Sequence, residues 1–218
     1  MFKWDYLVDG VTSISFDIHK YGFASKGVSV STFASSALRR FTYCPVTSGN
    51  TLYISPTMQG SRGGAVMAAA WATMLHIGDE GYCKTAEHMY KLHKRLKDEI
   101  KGMGGVKLLV DSDLCIVPIA SDEFDVYAIA TLMDRHGWNT FTACRPKCLY
   151  ICIGERHDEL LDLWLDDLKL SIDELRADPN IKVEGDSAVY GAASVLPSEL
   201  LETMMMSYMD IKLSVKPR

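Results

Sequence analysis

Between residues 11 and 33 apolar and polar positions alternate in two short runs, VTSISF (11–16) and GVSVSTF (27–33). Both are rich in β-branched residues, and the period of two predicts a pair of strands. The intervening stretch, Asp17 to Lys26, breaks the alternation, which predicts a loop between the strands carrying Lys20 in its turn. From Gly64 to Ile77 the pattern changes: AVMAAAWATMLHI is apolar nearly all round, as in a helix buried on most sides, and Gly78 ends it. Over residues 80–101, Ala86, Met89, Tyr90, His93, Leu96 and Ile100 recur at helical spacing. Lys84, Glu87, Lys91, Lys94 and Asp98 lie between them, so the segment predicts an amphipathic surface helix stopped by Gly102, Gly104 and Gly105.

Beyond these glycines come VKLLV (106–110), LCIVPIA (114–120), a helix from about Phe124 to His136, and strands near WNTFTA (138–143) and CLYICI (148–153). A long helix follows with Leu160, Leu161, Trp164, Leu165, Leu168 and Ile172 on one face, closed by Asp178 and Pro179. The order strand, strand, helix, strand, strand, helix predicts a small α+β domain with helices on one face of an antiparallel sheet, beginning close to residue 103. After Pro197 a short helix is expected to place Met204, Met205 and Met206 against the core or against a further part of the fold.

With 218 residues, 48% hydrophobic and 23% charged, the chain has ordinary globular composition, and a net charge of −5 gives no electrostatic reason to expect nucleic acid. No apolar run approaches the roughly 18–20 residues of a membrane span, and MFKWDYLVDG lacks the regions of a signal peptide. The expectation is a soluble, cytoplasmic-facing chain with reduced cysteines. Cys144, Cys148 and Cys152 recur every four residues without forming a CxxC pair, and the histidines show no HExxH spacing, so no metal is expected.

The candidate chemistry centres on Lys20. A lysine forms an imine only through its neutral amine, and burial or a neighbouring cation lowers its pKa to that end. His19 precedes Lys20, Lys26 follows it, Gly22 and Gly27 let the backbone turn closely around a ligand, and Asp17 is placed to hydrogen-bond in the same turn. By residue type alone the cluster also reads as a solvated loop. Likewise GSRGG (60–64), which lacks a GK[ST] ending, reads as a surface loop and Tyr190 as a turn aromatic before Gly191.

SISFDIHKYGFASKGVSV resembles the lysine segment of the group II pyridoxal 5′-phosphate (PLP)-dependent decarboxylase superfamily, with an aspartate two residues before a His-Lys pair. More closely it is similar to the sphingosine-1-phosphate lyase family, whose segment reads SIS-x-D-x-HKYG-x-A-x-KG. YISPTMQGSRGG (53–64), Trp71 in the following helix, HGWN (136–139) and SAVYGAA (187–193) resemble further segments of that family in matching order, from about Trp4 to about Leu196. Ser25 and Gly63 stand where the family commonly has proline, which leaves both loops freer.

The resemblance implies an α/β architecture. Residues 1–102 would be the C-terminal part of the PLP-binding large domain of a fold-type I enzyme and residues 103–218 its small C-terminal α+β domain. It implies that Lys20 forms a Schiff base with PLP, that His19, Asp17, Ser61 and Arg62 bind the cofactor or its phosphate, and that Lys26 and Tyr190 are catalytic. The implied substrate is a phosphorylated sphingoid base, cleaved to a fatty aldehyde and phosphoethanolamine by a homodimer, and eukaryotic members lie at the endoplasmic reticulum membrane. The usual carboxylate partner of the pyridine nitrogen and the stacking ring have no counterpart here, so the chain is expected to be a fragment. Two other readings stay open: a PLP-dependent amino-acid decarboxylase, and a non-catalytic assembly module.

Overall fold

A computed structural model describes residues 3–49, 52–57 and 59–214. The elements run β1 (Ser13–Asp17), β2 (Ser29–Phe33), α1 (Ser36–Arg39), β3 (Cys44–Val46), β4 (Tyr53–Ser55), α2 (Gly64–Gly102), β5 (Lys107–Leu108), β6 (Ile116–Ala120), α3 (Val126–Arg135), β7 (Phe141–Cys144), β8 (Lys147–Cys152), α4 (Leu161–Ala177), α5 (Gly185–Val195) and α6 (Ser198–Leu213). They form two compact units, Met1–Lys84 and Thr85–Arg218. The division between these units falls inside α2. The break expected at Gly78 is present as a kink, because its φ of 64° and ψ of 173° lie outside the helical region that a side chain tolerates.

In the first unit, β1 and β2 pair antiparallel with Ser13 opposite Phe33 and Asp17 opposite Ser29, and β3 pairs with β4 in a second ribbon. Few side chains are enclosed: Ile18, Ala24 and Ala70 form the buried cluster, with Val28 and Val30 packed beside it. The apolar first half of α2 is therefore not buried on most sides, since Val66, Met67, Trp71 and Leu75 are exposed within this unit.

The second unit holds a four-stranded antiparallel sheet in the order β5-β6-β8-β7. Val117 opposite Ile151 and Ile119 opposite Leu149 send one face of the pleat inward, and these side chains meet Ile129, Leu132, Leu165 and Leu168 of α3 and α4 in one core. Asp125 starts α3 by accepting from the Tyr127 backbone N–H at 2.9 Å. The inward stripe of the second half of α2 is Leu92, His93, Leu96 and Ile100, whereas Ala86 and Tyr90 face solvent. Leu160, expected on the inner face of α4, precedes the first helical turn and is exposed. The methionine helix exists as α6 but buries none of its residues, so Met204, Met205 and Met206 do not join the core of this unit. Among the described residues no helix is long and apolar enough to cross a membrane.

Candidate active site

The loop joining β1 to β2 is held as a series of tight turns. Lys20 N donates to Asp17 O at 3.1 Å, Phe23 N to Lys20 O at 3.0 Å and Ala24 N to Ile18 O at 3.2 Å. A β-carbon on Gly22 would come within 2.5 Å of the Ile18 carbonyl oxygen, so only glycine lets the chain fold back there. The Gly22 carbonyl accepts from Tyr82 Oη at 2.9 Å, which ties the turn to α2. Ile18 and Ala24 point into the small core, and this leaves Asp17, His19 and Lys20 on the opposite, accessible side.

Asp17 organises this trio. Its Oδ2 lies 2.8 Å from Lys20 Nζ and 3.9 Å from His19 Nε2, while Oδ1 accepts from Ser29 Oγ across the strand pair. The Lys20 hydrogen bond, reinforced by that from Ser29, holds the Asp17 carboxyl below the usual carboxylate range. His19 Nδ1 sits 3.1 Å from the Val28 carbonyl oxygen, which fixes the ring. A cavity of about 380 Å3 beside Lys20 is walled by Phe16, Tyr21, Met74 and Tyr82.

The electrostatic expectation for Lys20 is corrected by this geometry. The side chain is 66% exposed and paired with a carboxylate, so Asp17 raises its pKa instead of burial lowering it. Lys26 is exposed and makes no hydrogen bond or ion pair among the described residues, so it does not supply the neighbouring cation. The amine is thus accessible and paired with a carboxylate.

Ser61 and Arg62 line a second cavity of about 880 Å3, together with Ser29 and Ser31 of β2. Arg62 donates through Nη2 to the Gln59 carbonyl oxygen at 3.1 Å and to Thr57 Oγ1. Ser29 belongs to both places, bonding Asp17 and lining this cavity. Met58 of the same segment lies outside the described residues. Tyr190 lies in the other unit, on α5 rather than in a turn, and is half exposed; a β-carbon on its neighbour Gly191 would contact the Tyr127 ring at 3.4 Å.

Asp17, His19 and Lys20 are therefore brought together, and Ser61 and Arg62 share a cavity whose wall reaches them through Ser29. Ser29 and Tyr82 were not singled out by sequence. The strand register carries the signal for Ser29, since pairing VTSISF with GVSVSTF places a polar residue opposite Asp17. Tyr82 lies sixty positions from Gly22 and has no local signal.

The fold is that of PLP-dependent fold-type I enzymes of the decarboxylase and desulfurase kind. A glutamate decarboxylase of Lactobacillus brevis superposes on 79% of the chain with a TM-score of 0.65 at 18% identity, using 42% of its own length. Within that class the chain is similar to the sphingosine-1-phosphate lyases. That of Oryza sativa subsp. japonica is 34% identical over 209 residues, 95% of this chain and 39% of the relative. The solved sphingosine-1-phosphate lyase of Burkholderia pseudomallei matches 95% of the chain and 43% of its own with a TM-score of 0.79 at 24% identity. The chain thus spans about two fifths of the length of the relatives it matches. No family model matches it.

Proposed function

We propose that this chain is the lysine-bearing portion of a PLP-dependent carbon–carbon lyase that cleaves phosphorylated sphingoid bases to a fatty aldehyde and phosphoethanolamine. The observation that carries the reading is the accessible Lys20 amine at the apex of a strand pair, beside Asp17 and His19, in a chain similar to sphingosine-1-phosphate lyases over nearly its whole length.

The residues present fit the aldehyde and phosphate ends of PLP. Lys20 offers an exposed primary amine, while Ser61 and Arg62 offer hydrogen-bond donors suited to a phosphate. When bound, PLP supplies an electron sink for the carbanion left by bond cleavage. Asp17 would hold Lys20 in place for the cofactor through its ion pair, and the ammonium would give up its proton to solvent rather than to this weakly basic carboxylate. The Val28 carbonyl accepts from Nδ1 and fixes the His19 ring, whose Nε2 would donate to the phosphate only in the imidazolium form. Lys26 is assigned proton transfer or substrate phosphate binding on its unengaged ammonium, and the half-exposed Tyr190 is assigned the place of the active-site tyrosine.

In this reading residues 1–102 are the C-terminal part of the cofactor domain and residues 103–218 the small domain, in a cytoplasmic-facing homodimer. The small core of the first unit, with Ile18, Ala24 and Ala70 as its buried members, favours a second reading as well: a module that works only when further polypeptide completes the fold. Product analysis separates the readings. The chain, alone and joined by a polypeptide supplying the rest of the fold, is given sphingosine phosphate and PLP. Release of fatty aldehyde that disappears in Lys20→Ala supports the lyase. Carbon dioxide release from amino acids instead supports a decarboxylase, and neither product supports the assembly module.

A further inference from the structure

Arg39 has no place in the reading above, yet it lines the same cavity as Ser61 and Arg62. Its backbone is fixed by the short helix α1, where Ser35 Oγ accepts from Leu38 N at 3.3 Å and Ser35 O accepts from Arg39 N at 3.1 Å. Its side chain is fixed by donation from Nε to Tyr43 Oη at 3.1 Å. The terminal amino groups of Arg39 make no hydrogen bond among the described residues, and neither Arg39 nor Arg62 has a carboxylate partner there. Among the described residues no acidic side chain lines the cavity. Two exposed guanidinium groups lining one concavity without a counter-ion attract an anion to it.

The remaining walls narrow the ligand. Ser31, Ser61 and Tyr43 add hydroxyls that donate to anionic oxygens, whereas Val66 and Met67 give an apolar side. At about 880 Å3 the cavity exceeds what a bare inorganic anion fills. We propose that Arg39 and Arg62 together form the anion-binding end of a cavity for an organic phosphate monoester, with Tyr43 positioning the Arg39 guanidinium. This rests on the reading of Ser61 and Arg62 as phosphate-binding groups and adds Arg39 as the second cation.

The test titrates the chain with inorganic phosphate, phosphoethanolamine and PLP by calorimetry, comparing wild type with Arg39→Gln, Arg39→Lys and Arg40→Gln. Arg40 carries the same charge one residue on and does not line the cavity. Charge-assisted hydrogen bonds of this kind predict that Arg39→Gln weakens inorganic phosphate and phosphoethanolamine about tenfold or more. Arg39→Lys, which keeps the charge and loses the fork, weakens them less, and Arg40→Gln leaves them unchanged. If Arg39→Gln does not fold by circular dichroism, Arg39→Lys against Arg40→Gln decides. An equal loss of PLP binding assigns the cavity to the cofactor phosphate, and its retention assigns it to the substrate phosphate. Absence of phosphate binding by wild type, or equal effects at positions 39 and 40, overturns the proposal. Borohydride trapping of PLP on Lys20 in the same variants reports separately on the proposed function.

Discussion

Asp17 Oδ2 and Lys20 Nζ lie 2.8 Å apart across one turn of the β1–β2 loop, so the candidate nucleophile is stored as one half of an exposed ion pair. The pairing raises the Lys20 pKa and lowers that of Asp17. Its stabilising effect is present above the unfolded aspartate pKa and below the unfolded lysine pKa. It is lost as pH falls through the lowered Asp17 value or rises through the raised Lys20 value. Asp17→Asn removes the carboxylate, and trapping of PLP on Lys20 should then reach half its maximum at a lower pH than in wild type. An unchanged pH profile would show that Asp17 does not govern the amine.

Gly22 tests the turn itself. With a β-carbon 2.5 Å from the Ile18 carbonyl oxygen, Gly22→Ala has to displace backbone rather than a flexible side chain. The expected cost is about 1–3 kcal/mol in denaturant unfolding. Lys20 labelling by PLP should fall as well, because the turn sets the lysine's position.

The loop could be placed from sequence because its strands alternate cleanly and its turn residues sit where the alternation stops; β1 and β2 pair as that pattern requires. The sheet of the second unit was legible for the same reason, with Val117, Ile119, Leu149 and Ile151 all on the buried side. Electrostatics was not legible. Neighbouring His19 and Lys26 in the sequence pointed to a lowered Lys20 pKa, but the turn places Asp17, not a cation, against the amine. Burial of α2 was overestimated for a related reason: composition identifies an apolar surface but not what covers it, and within its own unit Trp71 remains exposed. Arg39 had no motif at all, since its relation to Arg62 exists only once the end of α1 and the loop before α2 line one cavity.

His93 lies on the inward face of α2, is 2% exposed, and its Nε2 has no hydrogen-bond partner. Burial, with Lys97 adding to it, lowers its pKa. As pH falls below about 6.5 the unfolded chain takes up a proton before the folded one, so stability should decline until the lowered folded value is passed. His93→Leu should abolish that decline. It should also raise stability near neutral pH by about 1–3 kcal/mol through loss of an unsatisfied buried group. Urea unfolding between pH 5 and 8 reads both effects, and an unaltered pH slope in the variant would rule His93 out as the titrating group.

Lys20 is the residue proposed to bind PLP covalently, and adduct mapping tests this directly. The chain is incubated with PLP, reduced with borohydride, and digested for mass mapping alongside Lys20→Ala and Lys26→Ala. A pyridoxyl group is expected on Lys20 at the lowest PLP concentration that labels any lysine, retained in Lys26→Ala and lost in Lys20→Ala. Labelling spread evenly over the surface lysines, or confined to a lysine other than Lys20, would contradict it.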